Sequence, residues 1–269
     1  MNRVFLTLAS VLFLAFAATA QTTNSLSDAE VQGQQLAQEI LSQRPAENTV
    51  NKGIMQTRDG SGHHSEVPII CRIIVMVSVA NTNIIVPDWQ TFYQATFTNQ
   101  TNYLRVTHSA SLTNFYSYST NTSDAVPVLG DIPIVGHLFG SHQISGPELM
   151  SPFAGSDFWI CDLGLEFFHW PGQKVLKHET RRTRACTVLE STNPDPAPGS
   201  YSHVDSWVDN ETLGLVHAEA YDAVGKLLKV FDPKSFKKVN GQWELQDMEI
   251  RNVQTGSRTW IKFDLSAKS

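Results

Sequence analysis

Cysteine is scarce in this 269-residue sequence, and its scarcity limits the chemistry that the chain can carry. Only Cys71, Cys161 and Cys186 are present, and their spacing matches no zinc or iron–sulfur pattern. An odd count leaves at least one thiol free, which excludes a fully disulfide-bonded scaffold. If two of the cysteines pair, we favour Cys161 with Cys186. We expect the cysteines to be structural rather than catalytic.

Long apolar runs and a large excess of one charge are also missing from the main part of the chain. Residues 69–79 come nearest to a membrane span, but Arg72 interrupts them, and their Ile and Val content is typical of a strand. The formal net charge is only −6, and acidic and basic residues are mixed, which argues against a nucleic-acid partner. We therefore expect no nucleic-acid partner and no transmembrane segment in the mature chain.

The histidines do not form a recognisable metal or catalytic motif. His63 and His64 lie in a turn rich in Gly and Ser, with no partner at ligand spacing. His178 precedes a glutamate, as in a zinc-protease helix, but Arg182 stands where the second histidine would be needed. The chain also lacks a Gly-x-Ser-x-Gly elbow and a phosphate-binding glycine loop before a helix. We predict no metal site and no cofactor.

Three carboxylates, Asp157, Asp162 and Glu166, lie close together in the sequence, near Trp159 and Trp170. A glycosidase needs two acids that face each other across a sugar cleft. Asp162 is equally well placed to begin a short helix as its cap. A hydrolase of envelope polymers is therefore the least favoured hypothesis, and we expect that the protein is not an enzyme.

The N-terminus has the pattern of an export signal. Arg3 supplies the positive charge, residues 4–17 form an apolar core, and Ala18-Thr19-Ala20 fits a cleavage site of small residues. We predict that residues 1–20 are a signal peptide cleaved after Ala20, and that the mature protein is periplasmic.

One amphipathic helix is predicted before a long series of strands. Ser27 and Glu30 form a capping box, and the helix should end at Arg44, before Pro45. Runs with alternating apolar and polar residues follow, separated by turn residues. The predicted strands cover residues 52–57, 66–79, 89–97, 103–109, 112–118, 173–180 and 185–191, and several more between 201 and 265.

The region from about residue 121 to 171 differs from the rest, because it is rich in Gly, Pro and Ser and interrupts the strands. Two short helices are predicted there, at residues 146–150 and 162–168. Residues 126–139 resemble the signature of outer-membrane secretins, but secretins are much longer proteins, so we interpret this segment as an apolar Pro- and Gly-rich loop. No composition break requires a second domain, and we predict that residues 21–269 form one domain with an insert.

Residues 155–264 resemble a family of outer-membrane lipoprotein-sorting proteins related to the carrier LolA. The resemblance depends on the order and spacing of short motifs, each weak alone. They are Gly155-Ser156-Asp157-Phe158, Asp162-Leu163, Trp170, Lys174-Val175-Leu176, Cys186-Thr187-Val188-Leu189-Glu190, Tyr201, Trp207-Val208-Asp209, Glu219-Ala220-Tyr221-Asp222, Gly225-Lys226-Leu227-Leu228-Lys229, Trp243, Met248 and Thr255-Gly256-Ser257-Arg258-Thr259. Trp159-Ile160-Cys161 departs from the usual family pattern, and no position matches the arginine of the carrier's cavity.

The resemblance implies an α+β fold: an open, strongly curved antiparallel β half-barrel with an N-terminal helix and short helices as a lid. It also implies a concave apolar cavity for the acyl chains of a lipoprotein or lipid. The candidate lining residues are Phe158, Leu165, Phe167, Phe168, Trp207, Leu215 and Tyr221.

The hypothesis that follows is a periplasmic, non-enzymatic carrier or sensor that binds lipid or a lipidated protein, as in lipoprotein sorting and outer-membrane biogenesis. The alternative is a structural or interaction module of an envelope or secretion machine, with an envelope protein as its partner.

Overall fold

A single antiparallel sheet dominates the structure. The computed structural model describes residues 26–75, 89–109, 113–121, 142–239 and 241–265, so the predicted signal peptide and the secretin-like loop 126–139 lie outside the described residues. The helices are α1 (Asp28–Leu41) and α2 (Ile160–Gly164), with 3-10 helices at Gly146–Met150, Phe153–Gly155 and Glu166–His169. The strands are β1 (Thr49–Arg58), β2 (His64–Val75), β3 (Trp89–Thr96), β4 (Thr101–His108), β5 (Phe115–Asn121), β6 (His142–Ile144), β7 (Gly172–Arg181), β8 (Arg184–Thr192), β9 (Tyr201–Asp209), β10 (Leu215–Asp222), β11 (Leu227–Val239), β12 (Gln242–Asn252) and β13 (Arg258–Asp264).

The strands of both halves of the chain join in one sheet. Its order is β6-β5-β4-β3-β2-β1-β13-β12-β11-β10-β9-β8-β7, and β1 pairs with β13, so that Gly53 lies opposite Phe263. Within the described ranges the sheet is curved and does not close, because β6 and β7 remain as edges. The predicted fold class, an open antiparallel half-barrel with few helices, is confirmed. That residues 21–269 form a single domain stays a prediction.

Helix α1 begins where the capping box predicts. The Ser27 hydroxyl accepts a hydrogen bond from the Glu30 amide, and the Glu30 carboxylate accepts one from the Ser27 amide at 2.7 Å. The helix ends at Leu41, slightly earlier than predicted. Its buried residues are Gly33 and Ala37, and at Gly33 the helix approaches strand β7 very closely. No helix in the described ranges is long and apolar enough to span a membrane.

The segment of residues 146–170, which we call the covering segment, lies over one face of the sheet, here called the inner face. The predicted helix at residues 162–168 is interrupted, because Leu165 adopts a left-handed backbone conformation with φ of 51°. This residue separates α2 from the following 3-10 helix and turns the chain between them. Local sequence did not indicate the break, since leucine rarely adopts this conformation.

Hydrogen bonds fix the covering segment to the sheet at several points. The Tyr93 hydroxyl donates to the Leu163 carbonyl at 3.2 Å, and the Asp157 amide donates to the Thr259 hydroxyl at 2.9 Å. The Gln173 side chain donates to the carbonyls of Phe167 and Trp170. These contacts come from β3, β13 and β7, so the segment connects distant strands.

The close approach of α1 to β7 yields a stability prediction. A Cβ atom added at Gly33 would lie 2.5 Å from the backbone nitrogen of Lys174, and a backbone atom cannot move aside as a flexible side chain can. We expect Gly33→Ala to lower the free energy of unfolding by about 1–3 kcal/mol, as overpacking does, although alanine favours helices. Urea denaturation measures the effect. The exposed neighbour Gln34 provides the control, because Gln34→Ala should change the free energy of unfolding by less than about 0.5 kcal/mol. Equal stability of the two variants would contradict the packing described.

Candidate functional site

A cavity of about 390 Å³ lies between the inner face and the covering segment. Its floor is formed by alternate residues of β10, β11 and β12, and its cover by α2 and the 3-10 helix that follows. The end of α1 and strands β2 and β3 complete the wall. The apolar residues of the floor are Ala218, Ala220, Phe231, Met248 and Ile250, and those of the cover are Phe158, Leu163, Leu165, Phe167 and Phe168.

One lysine interrupts the apolar floor. Lys229 is only 2% exposed, because strand pairing places it on the inner face, opposite Ala220 and two residues before Phe231. Its ammonium group donates to the Asp157 carbonyl at 2.7 Å and lies 3.7 Å from the Asp162 carboxylate. Burial lowers the pKa of Lys229 to about 8, although Asp162 partly offsets this effect. The lysine therefore remains mostly charged at neutral pH and attaches the covering segment to the sheet.

Asp162 receives the hydrogen bonds that complete this cluster. Its carboxylate accepts the Trp159 amide at 2.7 Å and the Tyr201 hydroxyl at 3.1 Å. The Trp159 ring stacks on Tyr201 at a centroid distance of 4.4 Å and lies 3.5 Å from the Lys229 ammonium. Burial raises the pKa of Asp162, and Lys229 opposes that rise. Both sides of the ion pair are thus desolvated and depend on each other.

Removal of the lysine charge tests this dependence. We expect Lys229→Met to destabilise the protein by about 3–5 kcal/mol, because the buried Asp162 loses its cation. The double variant Lys229→Met/Asp162→Asn should recover part of that loss, since it leaves no uncompensated charge. Urea denaturation measures both, and the exposed Lys226→Met serves as the matched control. If the double variant lost as much free energy of unfolding as the two single variants together, the two residues would not be a coupled pair.

A second polar cluster adjoins another part of the cavity wall, where Asn114 and His169 line the cavity. The Tyr116 hydroxyl donates to the Glu166 carboxylate at 3.0 Å, and the Asn114 amide donates to the Gly164 carbonyl at 2.8 Å. The His169 ring lies 3.2 Å from the Asn114 side-chain oxygen. Burial raises the pKa of Glu166 to about 7 and lowers that of His169 to about 4. At neutral pH this cluster holds a neutral histidine and a carboxyl group that is partly protonated.

His108 adds a further neutral imidazole to the same wall. Its ring stacks on Trp89 at 3.5 Å, and its Nε2 atom lies 3.0 Å from the Thr91 hydroxyl. Burial, with a smaller effect from His169, lowers the pKa of His108 to about 3. The polar groups of this wall can therefore donate and accept hydrogen bonds without a positive charge.

The raised pKa of Glu166 predicts a pH dependence of stability. The folded pKa of about 7 exceeds the ordinary value of 4.5, so the native state binds more protons than the unfolded state between these two values. The free energy of unfolding should therefore fall as the pH rises through this window, by up to about 3 kcal/mol from this group. In Glu166→Gln, the side chain stays neutral and that contribution disappears.

We expect the stability of Glu166→Gln, relative to the natural protein, to increase between pH 5 and pH 8 in urea denaturation. The histidines are present in both proteins, so their effects cancel in the difference. The exposed Glu148→Gln variant should run parallel to the natural protein over this range. A Glu166→Gln curve that is also parallel would show that Glu166 is not buried as described.

The structure places five of the seven candidate lining residues at the cavity. Phe158, Leu165, Phe167, Phe168 and Leu215 line it, and their contact with a ligand stays a prediction. Trp207 and Tyr221 lie on the opposite, outer face. Trp207 packs there with Cys186 and Val188, and Tyr221 stacks on His203 at 4.3 Å. Strand alternation sends these two side chains away from the covering segment.

The three cysteines are free and buried in the structure. Cys161 belongs to α2 of the covering segment and packs in the main apolar cluster, whereas Cys186 lies in the small cluster of the outer face. The structure therefore does not join the pair that we favoured from the sequence. A side chain on each face of the sheet cannot approach the other without rearrangement of the strands.

The three candidate carboxylates are each engaged in hydrogen bonds that hold the covering segment. The Asp157 carboxylate accepts the hydroxyls of Ser257 at 2.5 Å and Thr259 at 2.9 Å. Asp162 binds Tyr201, and Glu166 binds Tyr116, as described above. These contacts favour structural roles for all three groups.

Several residues of the cavity were not identified from the sequence. They are His108, Asn114, His169, Ala218, Ala220 and Lys229. Lys229 could have been identified from the sequence, because it is a charged residue at a position of the strand where the alternating pattern predicts an apolar one. The polar wall had no such signal, because its residues come from β4, the loop before β5 and the covering segment, which only the fold brings together.

Comparison with known proteins supports the fold. A protein-family model described only as an uncharacterized protein matches residues 140–266, and no curated protein matches the chain. A crystal structure of a DUF1329 family protein from Desulfovibrio piger is similar to this chain, with 16% identity and a TM-score of 0.65 over 89% of this chain and 92% of that one.

A domain from Vibrio parahaemolyticus, provisionally named as an outer membrane lipoprotein-sorting protein, has 20% identity and a TM-score of 0.64 over 87% of this chain and 91% of that one. A LolA superfamily protein from Nitrosomonas europaea has 14% identity and a TM-score of 0.49 over 88% and 92% of the two chains. The resemblance to lipoprotein-sorting proteins that the sequence suggested is therefore confirmed at the level of the fold by the Vibrio domain.

Proposed function

We propose that this protein is an exported, non-enzymatic carrier or sensor that binds the acyl chain of a lipid or lipidated protein in its cavity. The observation that carries the proposal is the apolar cavity between the inner face and the covering segment. Its volume of about 390 Å³ falls in the range of small-molecule sites. The apolar residues that form its floor and cover would be shielded from water by an acyl chain.

The affinity of such a site would come from the hydrophobic effect. Each buried methylene group contributes about 0.8 kcal/mol, so about ten buried methylenes correspond to a micromolar dissociation constant before ordering costs are subtracted. A weaker, reversible complex suits a carrier, which must release what it binds. The few polar groups of the wall would then fix the position of the ligand's head rather than supply most of the affinity.

Two polar regions offer contacts to a lipid head group. Lys229 presents a buried positive charge at the floor, and the wall with His108, Asn114 and His169 presents neutral donors and acceptors. Neither region combines a nucleophile with a base and a stabilised oxyanion position, as acyl transfer requires. We therefore favour binding without chemistry.

Periplasmic residence is part of the same proposal. It depends on the predicted signal peptide at residues 1–20, and the fold shared with the Vibrio lipoprotein-sorting domain is consistent with it. Export would place the cavity where lipoproteins and lipids move between membranes.

A variant with a filled cavity tests the proposal. Ala220 is 7% exposed and lies in the floor, so Ala220→Trp should occupy the space that an acyl chain would need. We expect binding of a fluorescent fatty acid to weaken by at least about tenfold. The matched control is Ala185→Trp, which adds the same ring at an exposed position of β8 and should bind as the natural protein does.

Circular dichroism and thermal unfolding would show whether Ala220→Trp is folded, and Ala218→Leu offers a milder change in the same floor. Equal binding by the natural protein and the folded floor variants would contradict the proposal. If the natural protein takes up no fatty acid at all, the interaction-module hypothesis would be preferred.

A further inference from the structure

The outer face of the sheet carries a row of three carboxylates on neighbouring strands. Glu190 of β8 lies directly opposite Asp205 of β9, and Asp205 lies opposite Glu219 of β10. Like charges in such cross-strand positions repel each other and destabilise a sheet. This row lies on the side away from the cavity, so ligand binding in the cavity does not account for it.

Glu219 is stabilised by neighbours, but Asp205 is not. The Glu219 carboxylate lies 3.1 Å from Nε2 of His217 and accepts the Tyr221 hydroxyl at 2.9 Å. The Oδ1 atom of Asp205, in contrast, is inaccessible to solvent and has no hydrogen-bond partner among the described residues. A buried carboxylate oxygen without a donor is costly, which indicates that a positively charged or donor group belongs at this position.

The protein supplies little positive charge to Asp205. Lys177 acts on it electrostatically, but the Lys177 ammonium is bound to Glu179 at 2.8 Å. Asp205 therefore faces a carboxylate on each neighbouring strand, and its Oδ1 atom receives no hydrogen bond from the described residues.

His203 adds an imidazole to this pair of acids. Ligand atoms of Glu190, His203 and Asp205 lie within 4.8 Å of one another. Atoms that share a metal at bond lengths of about 2.0–2.2 Å lie somewhat closer than this, so small side-chain rotations would bring the three onto one ion.

Contacts outside the three residues hold the imidazole in place. The His203 ring stacks on Tyr221, and its Nδ1 atom lies 2.9 Å from the Ser202 hydroxyl. That hydroxyl can donate to the Tyr221 carbonyl at 3.4 Å and accept the Nδ1 proton, which leaves the lone pair on Nε2. Such an outer contact on one ring nitrogen is typical of histidines that bind metals through the other.

We propose that Glu190, His203 and Asp205 form a binding site for a divalent transition-metal ion, of the zinc class, on the outer face of the sheet. One imidazole and two carboxylates suit Zn²⁺ or a similar ion, with water in the remaining positions. The imidazole favours such ions over Ca²⁺ and Mg²⁺, which prefer oxygen ligands. The ion would neutralise the opposed carboxylates and connect β8 to β9, so the expected effect is stabilisation of the sheet. The sequence-based expectation of no metal site did not include this group, because its members come from two strands.

Titration of ZnCl₂ into the full chain, treated with EDTA and then dialysed, tests the site. We expect one equivalent of Zn²⁺ to bind in isothermal calorimetry and to raise the melting temperature more than the same concentration of Ca²⁺ or Mg²⁺. His203→Ala should weaken Zn²⁺ binding by at least about tenfold. The matched control His178→Ala removes an exposed imidazole from β7 and should leave binding unchanged.

The variant Asp205→Asn provides a second test, in which stability without metal should rise rather than fall. Without metal it should melt at a higher temperature than the natural protein, because it removes the repulsion with Glu190 and Glu219, and Zn²⁺ should no longer raise its melting temperature. The proposal is overturned if Zn²⁺ does not shift the melting of the natural protein, or if His203→Ala binds Zn²⁺ as tightly as His178→Ala does.

Discussion

The structure depends on how the apolar inner face of an open sheet is covered. A curved sheet that does not close leaves one face of its central strands unpaired with any second layer of strands. In this chain the covering segment and helix α1 supply that layer. The buried Lys229 attaches the covering segment to β11, and Asp157 attaches it to β13, so the cover is fixed by specific polar contacts rather than by apolar packing alone.

The cavity is a consequence of this arrangement. Short 3-10 helices and a single turn of α-helix cannot fill the concave side of the sheet as a long helix would. Small side chains such as those of Ala218 and Ala220 leave further space above the floor of the cavity. The left-handed residue Leu165 turns the segment, so that Glu166 binds Tyr116 and His169 lines the polar wall. The same features that protect the inner face therefore leave an apolar space with a few polar groups around it, which is the arrangement that binding of an amphiphile requires.

Much of the fold could be predicted from the sequence, because local patterns determine it. The capping box at Ser27 placed the start of α1 correctly, and period-two runs identified most strands. The face of the sheet on which each side chain lies was harder to predict. Trp207 and Tyr221 lie in well-predicted strands, yet they face outward, because alternation alone does not tell which face will be covered, and bulges in β10 shift the register. The Lys229–Asp162 pair and the group of Glu190, His203 and Asp205 are formed by residues far apart or on different strands, so only the three-dimensional pairing reveals them.

The central claim is that the cavity holds an acyl chain in the cell. The most direct measurement is mass spectrometry of solvent extracts from protein that was expressed with its predicted signal peptide and purified without detergent. The account predicts an acyl lipid or lipopeptide in an amount close to one per protein molecule. Extracts without any amphiphile, from protein that also fails to take up added lipid, would contradict it.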